Sequence, residues 1–202
     1  MPKVITAEQA ASLIKSGDVV FVHSNGANPE ALLDALSARG GELRDVEMIH
    51  LLTLGRAPHL ERGLEESFIH RAYFIGANAR DAVNSGRAFY HPIHLSNYGK
   101  CVVARRPNVA LLHVSPPRRG CYGLGVSIEA APEAIDSVKA NGGLVIAQVN
   151  PRMPYVHGRG FVEEHLIDYL VEVDDPIPET EPPPINPRQR RIGELIAEYL
   201  IQ

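Results

Sequence analysis

The stretch DVVFVHSNGANPEALLDAL, residues 18–36, decides the fold class. Residues 18–23 are β-branched and aromatic at strand length, residues 24–28 form a polar loop, and Pro29 opens a helical pattern carrying Leu32, Leu33 and Leu36. Upstream, Thr6 to Gln9 reads as a capping box, with Ala10, Leu13 and Ile14 at helical spacing, so a short first helix is expected to run to Gly17. Downstream, residues 46–52, 68–74, 109–114 and 144–149 are apolar runs of strand length. Helical stretches such as 77–84 and 132–140 lie between them. Strands alternating with helices predict an α/β domain with a mostly parallel sheet flanked by helices.

A chain of 202 residues with 45% hydrophobic content suits one α/β domain, assigned to residues 1–173. Residues 174–187, DDPIPETEPPPINP, read as a proline-rich acidic tether. Residues 188–202 place Ile192, Leu195, Ile196, Tyr199 and Leu200 on one helical face with no closing residue. That helix either frays as an ordinary C-terminus or leads into a second domain absent from this chain. With 20 Lys and Arg against 24 Asp and Glu, the net charge of -4 supplies no broad footprint for nucleic acid or an anionic membrane. The two cysteines, Cys101 and Cys121, lack CxxC spacing, which fits a reducing compartment. No apolar run has signal-peptide or membrane-span character, so a soluble, cytoplasmic protein is expected.

Two loops carry the candidate chemistry. Asn25, Gly26, Ala27 and Asn28 sit where a strand ends and a helix begins, where backbone amides and the helix dipole favour anionic oxygen. The loop is therefore either an oxyanion or acyl-group site or a helix cap made by Asn28. The second loop, SPPRRGCYGLGVS at 115–127, fails both the dinucleotide and the Walker pattern. It leaves either a side-chain-poor backbone open to a ligand or a glycine-rich turn joining two strands. Nine histidines show no HExxH or HxH spacing and are read as mostly structural. His91 and His94, the one close pair, have no adjacent acidic ligand, and no metal site is assigned.

The segment 114–127, VSPPRRGCYGLGVS, resembles the VSPP…G(Y/F)xxLGVS signature of the acetyl-CoA hydrolase/transferase family, which includes 4-hydroxybutyrate, acetate and propionate CoA-transferases. It is one residue shorter between Pro117 and Gly120. Segments 16–36, 50–55 (HLLTLG), 74–86 (FIGANARDAVNSG) and 146–179 are similar to the same family in the same order. The resemblance implies a CoA-transferase (NagB/RpiA/CoA-transferase-like) fold in two α/β halves, with the active site between them. It implies coenzyme A as substrate, with no permanently bound cofactor, carried as a thioester on a glutamate of the second half. An acyl-CoA and a small carboxylate would be the ligands, and the C-terminal domain and a homo-oligomer the partners. Carried over by position, Asn25 to Asn28 become the oxyanion or acyl-pocket loop, with Gly26 as the leading backbone donor. His23, Arg80, Gly125, Val126 and Ser127 become substrate-binding candidates; Arg80 and 125–127 could equally hold the halves together, and His23 could be a packed strand-end residue. Arg118 and Arg119 are left as solvated. The alternative function is a stand-alone acyl-CoA or carboxylate binding module.

Overall fold

The run VALLHV at 109–114 is buried at every position, which requires cover on both faces of its sheet. The computed structural model describes residues 1–179 and 181–201 and supplies that cover. Its strands are β1 (Lys3–Val4), β2 (Val19–Val22), β3 (Val46–His50), β4 (Phe68–Ala72), β5 (Phe89–Tyr90), β6 (Val109–Val114), β7 (Cys121–Gly123), β8 (Leu144–Val149), β9 (Phe161–Glu163) and β10 (Tyr169–Glu172). Its helices are α1 (Ala7–Ser12), α2 (Glu30–Ser37), α3 (Arg80–Asn84), α4 (Tyr98–Ala104), α5 (Ala131–Ala140) and α6 (Pro187–Tyr199).

Eight strands form one sheet in the order β1-β10-β8-β6-β2-β3-β4-β5, and every neighbouring pair in it is parallel. From β2 the chain steps outward through β3, β4 and β5, then returns to the other side of β2 as β6. The side on which successive strands are added therefore reverses between β2 and β6. Beyond the carboxyl ends of those two strands a crevice opens, where parallel sheets place ligands.

Two cores sandwich the sheet. On one face Ala10, Ala11 and Ile14 of the first helical region join Leu32, Leu33 and Leu36 of α2 against Val20, Val22 and Met48. On the other, Tyr98 and Val102 of α4 and Ala134, Ile135 and Val138 of α5 pack on Phe21, Ala110 and Leu112. Each fully buried aliphatic side chain contributes about 1.5–3 kcal/mol, so the two faces together offset the entropy of ordering the sheet.

Several element ends differ from the sequence reading. The first helix stops at Ser12 rather than reaching Gly17, because the Lys15 amide turns to the Asp18 carboxylate at 2.7 Å and the chain enters β2. The helix expected over 77–84 begins only at Arg80. Strands β3 and β4 stop at His50 and Ala72, although Tyr73 and Phe74 still donate to His50 and Leu51. Just beyond β10, Asp174 pairs with Arg152 at 2.7 Å. Helix α6 carries a capping box at Asn186 and Gln189 and leaves Ile192, Leu195, Ile196 and Tyr199 exposed.

Close approach of two backbones joins β6 to β8. A Cβ at Gly143 would fall on the Asn108 carbonyl group, 2.7 Å from its carbon. Asn108 in turn accepts from Val19 at 2.7 Å and donates to Asp18 at 2.8 Å, so the same residue aligns the start of β2. Gly143→Ala is expected to cost about 2–3 kcal/mol through overpacking and to lower the melting temperature by roughly 5–10 °C. Gly41→Ala, with open space around its Cβ position, is the control and should leave melting unchanged. Equal melting of the two variants would show that the strand pair yields to the methyl group.

Candidate active site at the sheet switch point

The β2 loop and the β6 loop meet across the crevice, although about a hundred residues of chain separate them. Asn25 holds a left-handed backbone, φ 56°, in a tight turn closed by the Ala27 amide donating to Ser24 at 3.1 Å. Asparagine tolerates that region where most side chains would be strained. Its amide nitrogen donates to Ser127 Oγ and to Glu129 Oε1, both at 3.0 Å. The Ser127 hydroxyl also donates to Glu129 Oε1. Behind this turn the Val126 side chain lies 3.2 Å from where a Cβ on Gly26 would sit, so the glycine permits the two loops to touch.

Glu129 is the functional candidate that the sequence reading passed over. It too is left-handed, φ 43°, a rare conformation for a glutamate and one that clusters at functional sites. Burial pushes its carboxyl pKa up, against the opposing effect of its Ser127, Ser24 and Asn25 neighbours. Its Oε2 is buried and unpartnered among the described residues, as is the Tyr98 hydroxyl. Burial, reinforced by Glu129, pushes the Tyr98 phenol well above its ordinary pKa, so Tyr98 stays a neutral phenol. No local sequence pattern marks Glu129, since its partners come from a different loop.

His23 follows β2 and is fully buried. Its Nδ1 accepts from the His113 amide at 3.3 Å, which leaves Nε2–H to donate to the Ser127 carbonyl at 2.5 Å. Burial lowers its pKa to about 4. With both nitrogens engaged and the ring neutral, His23 ties the two loops together and has no capacity for proton transfer. His113 is held similarly: the Asn150 amide donates to its Nε2 at 3.2 Å, and its Nδ1–H donates to the Asn28 carbonyl at 3.3 Å. Burial lowers its pKa to about 4 as well.

Asn28 does not cap α2. Its side-chain nitrogen donates to Glu30, Pro29 occupies the cap position, and the Ala31 amide is instead satisfied by Gln148 Oε1 at 3.1 Å. A cap borrowed from β8 releases the loop from local duty. The Gly26 amide donates to nothing among the described residues, which leaves it available to an anionic oxygen. Beside the Asn25–Glu129 contact lies an open cleft of about 850 Å³, walled by Leu51, Leu95 and Val103 with Lys100 and Glu133 at its margin.

Of the other candidates, Gly125 is left-handed, φ 67°, and packs where a Cβ would strike Met153. Arg80 is exposed at the start of α3 and takes no part in the loop-to-loop bonds. Residues 118–121 form a two-residue hairpin turn: Arg118 and Cys121 exchange backbone bonds of 2.8 and 3.1 Å around left-handed Arg119 and Gly120. The turn leads into β7, which pairs antiparallel with β9. The opening half of SPPRRGCYGLGVS is thus a strand turn, and its closing half faces the crevice. Arg118 is not simply solvated, for its guanidinium lies 4.8 Å from the centre of the Tyr155 ring. His91 and His94 form no ligand pair: His94 is exposed, and His91 Nε2 sits 3.3 Å from the Arg71 guanidinium, which repels a cation.

A family profile described as the acetyl-CoA hydrolase/transferase N-terminal domain matches residues 1–180. The chain is 36% identical over 202 residues to a 4-hydroxybutyrate coenzyme A transferase of Clostridium kluyveri, covering 98% of this chain and 46% of that protein. It is 30% identical to a succinyl-CoA:acetate/propanoyl-CoA:succinate CoA transferase of Fasciola hepatica, covering 96% of this chain and 41% of that protein. The structure of RipA from Yersinia pestis shares the fold, with a TM-score of 0.82 at 24% identity over 97% of this chain and 48% of that one. The chain thus spans about half the length of the curated relatives it matches.

Proposed function

The chain belongs to the acetyl-CoA hydrolase/transferase family, and from that premise we propose that it is the first half of an enzyme moving coenzyme A from an acyl-CoA to a carboxylic acid or to water. In this reading a glutamate of the second half attacks the thioester carbonyl, and CoA is then carried as a glutamyl-CoA thioester. Coenzyme A is a substrate, and no resident cofactor takes part. This half supplies the oxyanion wall, with the Gly26 amide as donor and Asn25, Ser127 and Glu129 as the frame that aims it. A homo-oligomer buries the exposed rims of the crevice.

The observation that carries the reading is the state of Glu129. Its Oε1 is engaged by two donors and its Oε2 is buried without a partner among the described residues, so this carboxylate is held as the acceptor that fixes the loop frame. A rigid frame beside a cleft suits a domain that stabilises charge while a partner domain performs the covalent step. Carboxylate attack on a thioester passes through an anhydride, and a preorganised amide is needed at each of the two tetrahedral stages.

The test uses the full-length protein, incubated with acetyl-CoA and a panel of short carboxylates, with trapping of the covalent intermediate and peptide mass mapping. CoA exchange is expected, with the CoA adduct on a glutamate outside residues 1–202. Residues 1–202 alone should show no turnover. An adduct on Glu129, or turnover by the isolated chain, would overturn the assignment. Tight calorimetric binding of CoA by the isolated chain without any exchange in the full-length protein would favour the binding module instead.

A further inference from the structure

Three histidines far apart in sequence come together beneath α2. His50 closes β3 and His70 lies within β4; the register pairs Met48 with His70, so His50 and His70 project from the same face of adjacent strands. His59 reaches them from the short helical turn Pro58–Leu60 that follows β3. All three rings are buried, at 0%, 1% and 2% exposure for His50, His70 and His59.

The geometry is that of converging ligands. His59 Nε2 and His70 Nδ1 share a hydrogen bond of 2.9 Å, which a bound ion would replace, and one ligand nitrogen from each of the three lies within 4.8 Å of the others. An ion bound at 2.0–2.1 Å from each imidazole nitrogen places tetrahedrally arranged ring centres roughly 5.2 Å apart. The observed centre separations are 5.1, 4.7 and 5.1 Å. The polar balance points the same way. Both nitrogens of His50, Nδ1 of His59 and Nε2 of His70 have no hydrogen-bond partner among the described residues. His23 and His113 have both ring nitrogens engaged, whereas His59 and His70 bond only each other and His50 bonds nothing among the described residues. Burial holds all three rings neutral, the form whose lone pairs bind metal.

We propose that His50, His59 and His70 bind one divalent late-transition ion, with Zn(II) as occupant and a water or small anion as its fourth ligand. Imidazole is a preferred donor for this class, and Zn(II) accepts a compact tetrahedral set without an electronic demand on geometry. This site clamps β3, β4 and that turn together, and it is separate from the Asn25–Glu129 frame, so it stands whether or not the proposed CoA chemistry does.

The experiment uses tag-free chain stripped with chelator and then titrated with Co(II) and Zn(II). One equivalent should bind, giving the visible ligand-field absorption of four-coordinate Co(II), which Zn(II) displaces. Saturation with Zn(II) at a hundredfold excess over Kd should raise the melting temperature by roughly 5–10 °C. His59→Gln, which lies in the turn after β3 and outside the strands, should weaken binding by at least about a hundredfold, while His91→Gln leaves it unchanged. Absence of a stoichiometric metal or of the Co(II) band would overturn the site. So would His59→Gln binding as tightly as the natural chain.

Discussion

Lowering the pH from about 7 to about 5 is expected to remove about 4 kcal/mol of stability through His23 and His113 alone. Each is held neutral by burial, with its pKa lowered from 6.5 to about 4. A group whose folded pKa is depressed leaves the folded state unprotonated while the unfolded chain takes up the proton. Stability is therefore present above about 6.5 and is lost as pH falls toward 4. At about pH 5 each such histidine costs about 2 kcal/mol. Against a typical total of about 5–15 kcal/mol, the loss is large. His50, His59 and His70 are buried neutral as well and act in the same direction in metal-free protein. Glu129 acts oppositely: its raised pKa means that acid relieves a buried charge, a partial offset. In chelator-treated protein the melting temperature should fall on the order of 10 °C between these pH values. His113→Gln should flatten that dependence by about one proton. Melting that moves by only two or three degrees would mean that these rings charge in place, contrary to their hydrogen bonding.

If the proposed CoA-transfer reading holds, Glu129→Ala in the full-length protein is expected to lower kcat about a hundredfold while KM for the acyl-CoA changes only a few-fold. Oε1 of Glu129 is the shared acceptor for Asn25 and Ser127. Without it, the left-handed turn that aims the Gly26 amide loses its anchor, and an oxyanion donor displaced by an ångström stabilises much less charge. The same change should cost the isolated domain about 1–3 kcal/mol, because the buried Ser127 hydroxyl loses its acceptor and half-buried Asn25 loses one of its two. Glu129→Gln keeps an acceptor oxygen in place and should recover most of kcat. That rescue separates positioning from contact with substrate. Should Glu129→Gln prove as slow as Glu129→Ala, the carboxyl itself would be touching the reacting groups. Unchanged kcat in Glu129→Ala would remove the residue from the mechanism altogether.

Much of the architecture was legible along the chain because its determinants are local. Strands β6 and β8 match the sequence expectation residue for residue, since a run such as VALLHV has the length and β-branched content of a doubly covered strand. The capping box at Thr6 formed as read, with Gln9 donating its amide to Thr6 Oγ1 at 3.2 Å. Strands β1 and β10 escaped notice because each is only two to four residues long. Their existence depends on pairing with one another and with β8, a property of the sheet and not of either segment. Of the two readings open for Asn28, the helix cap is not the one formed, for a related reason: the side chain that satisfies the Ala31 amide is Gln148, from a strand far along the chain.

By itself, the sequence determined the alternation of strand and helix, the parallel sheet, the two loops that matter, and, through motifs such as VSPPRRGCYGLGVS, the family. Period, capping and turn chemistry act over a few residues, so they are written where they are used. Only the tertiary structure decided which loops meet. Placing β6 beside β2 creates the switch point, brings Ser127 and Glu129 onto Asn25, and turns a glutamate with no sequence signature into the frame of the site. The same pairing logic set His70 next to His50 and gathered His59 onto them. Long-range contacts of this kind follow from strand order, which is settled by how two hydrophobic faces are buried together and not by any one segment.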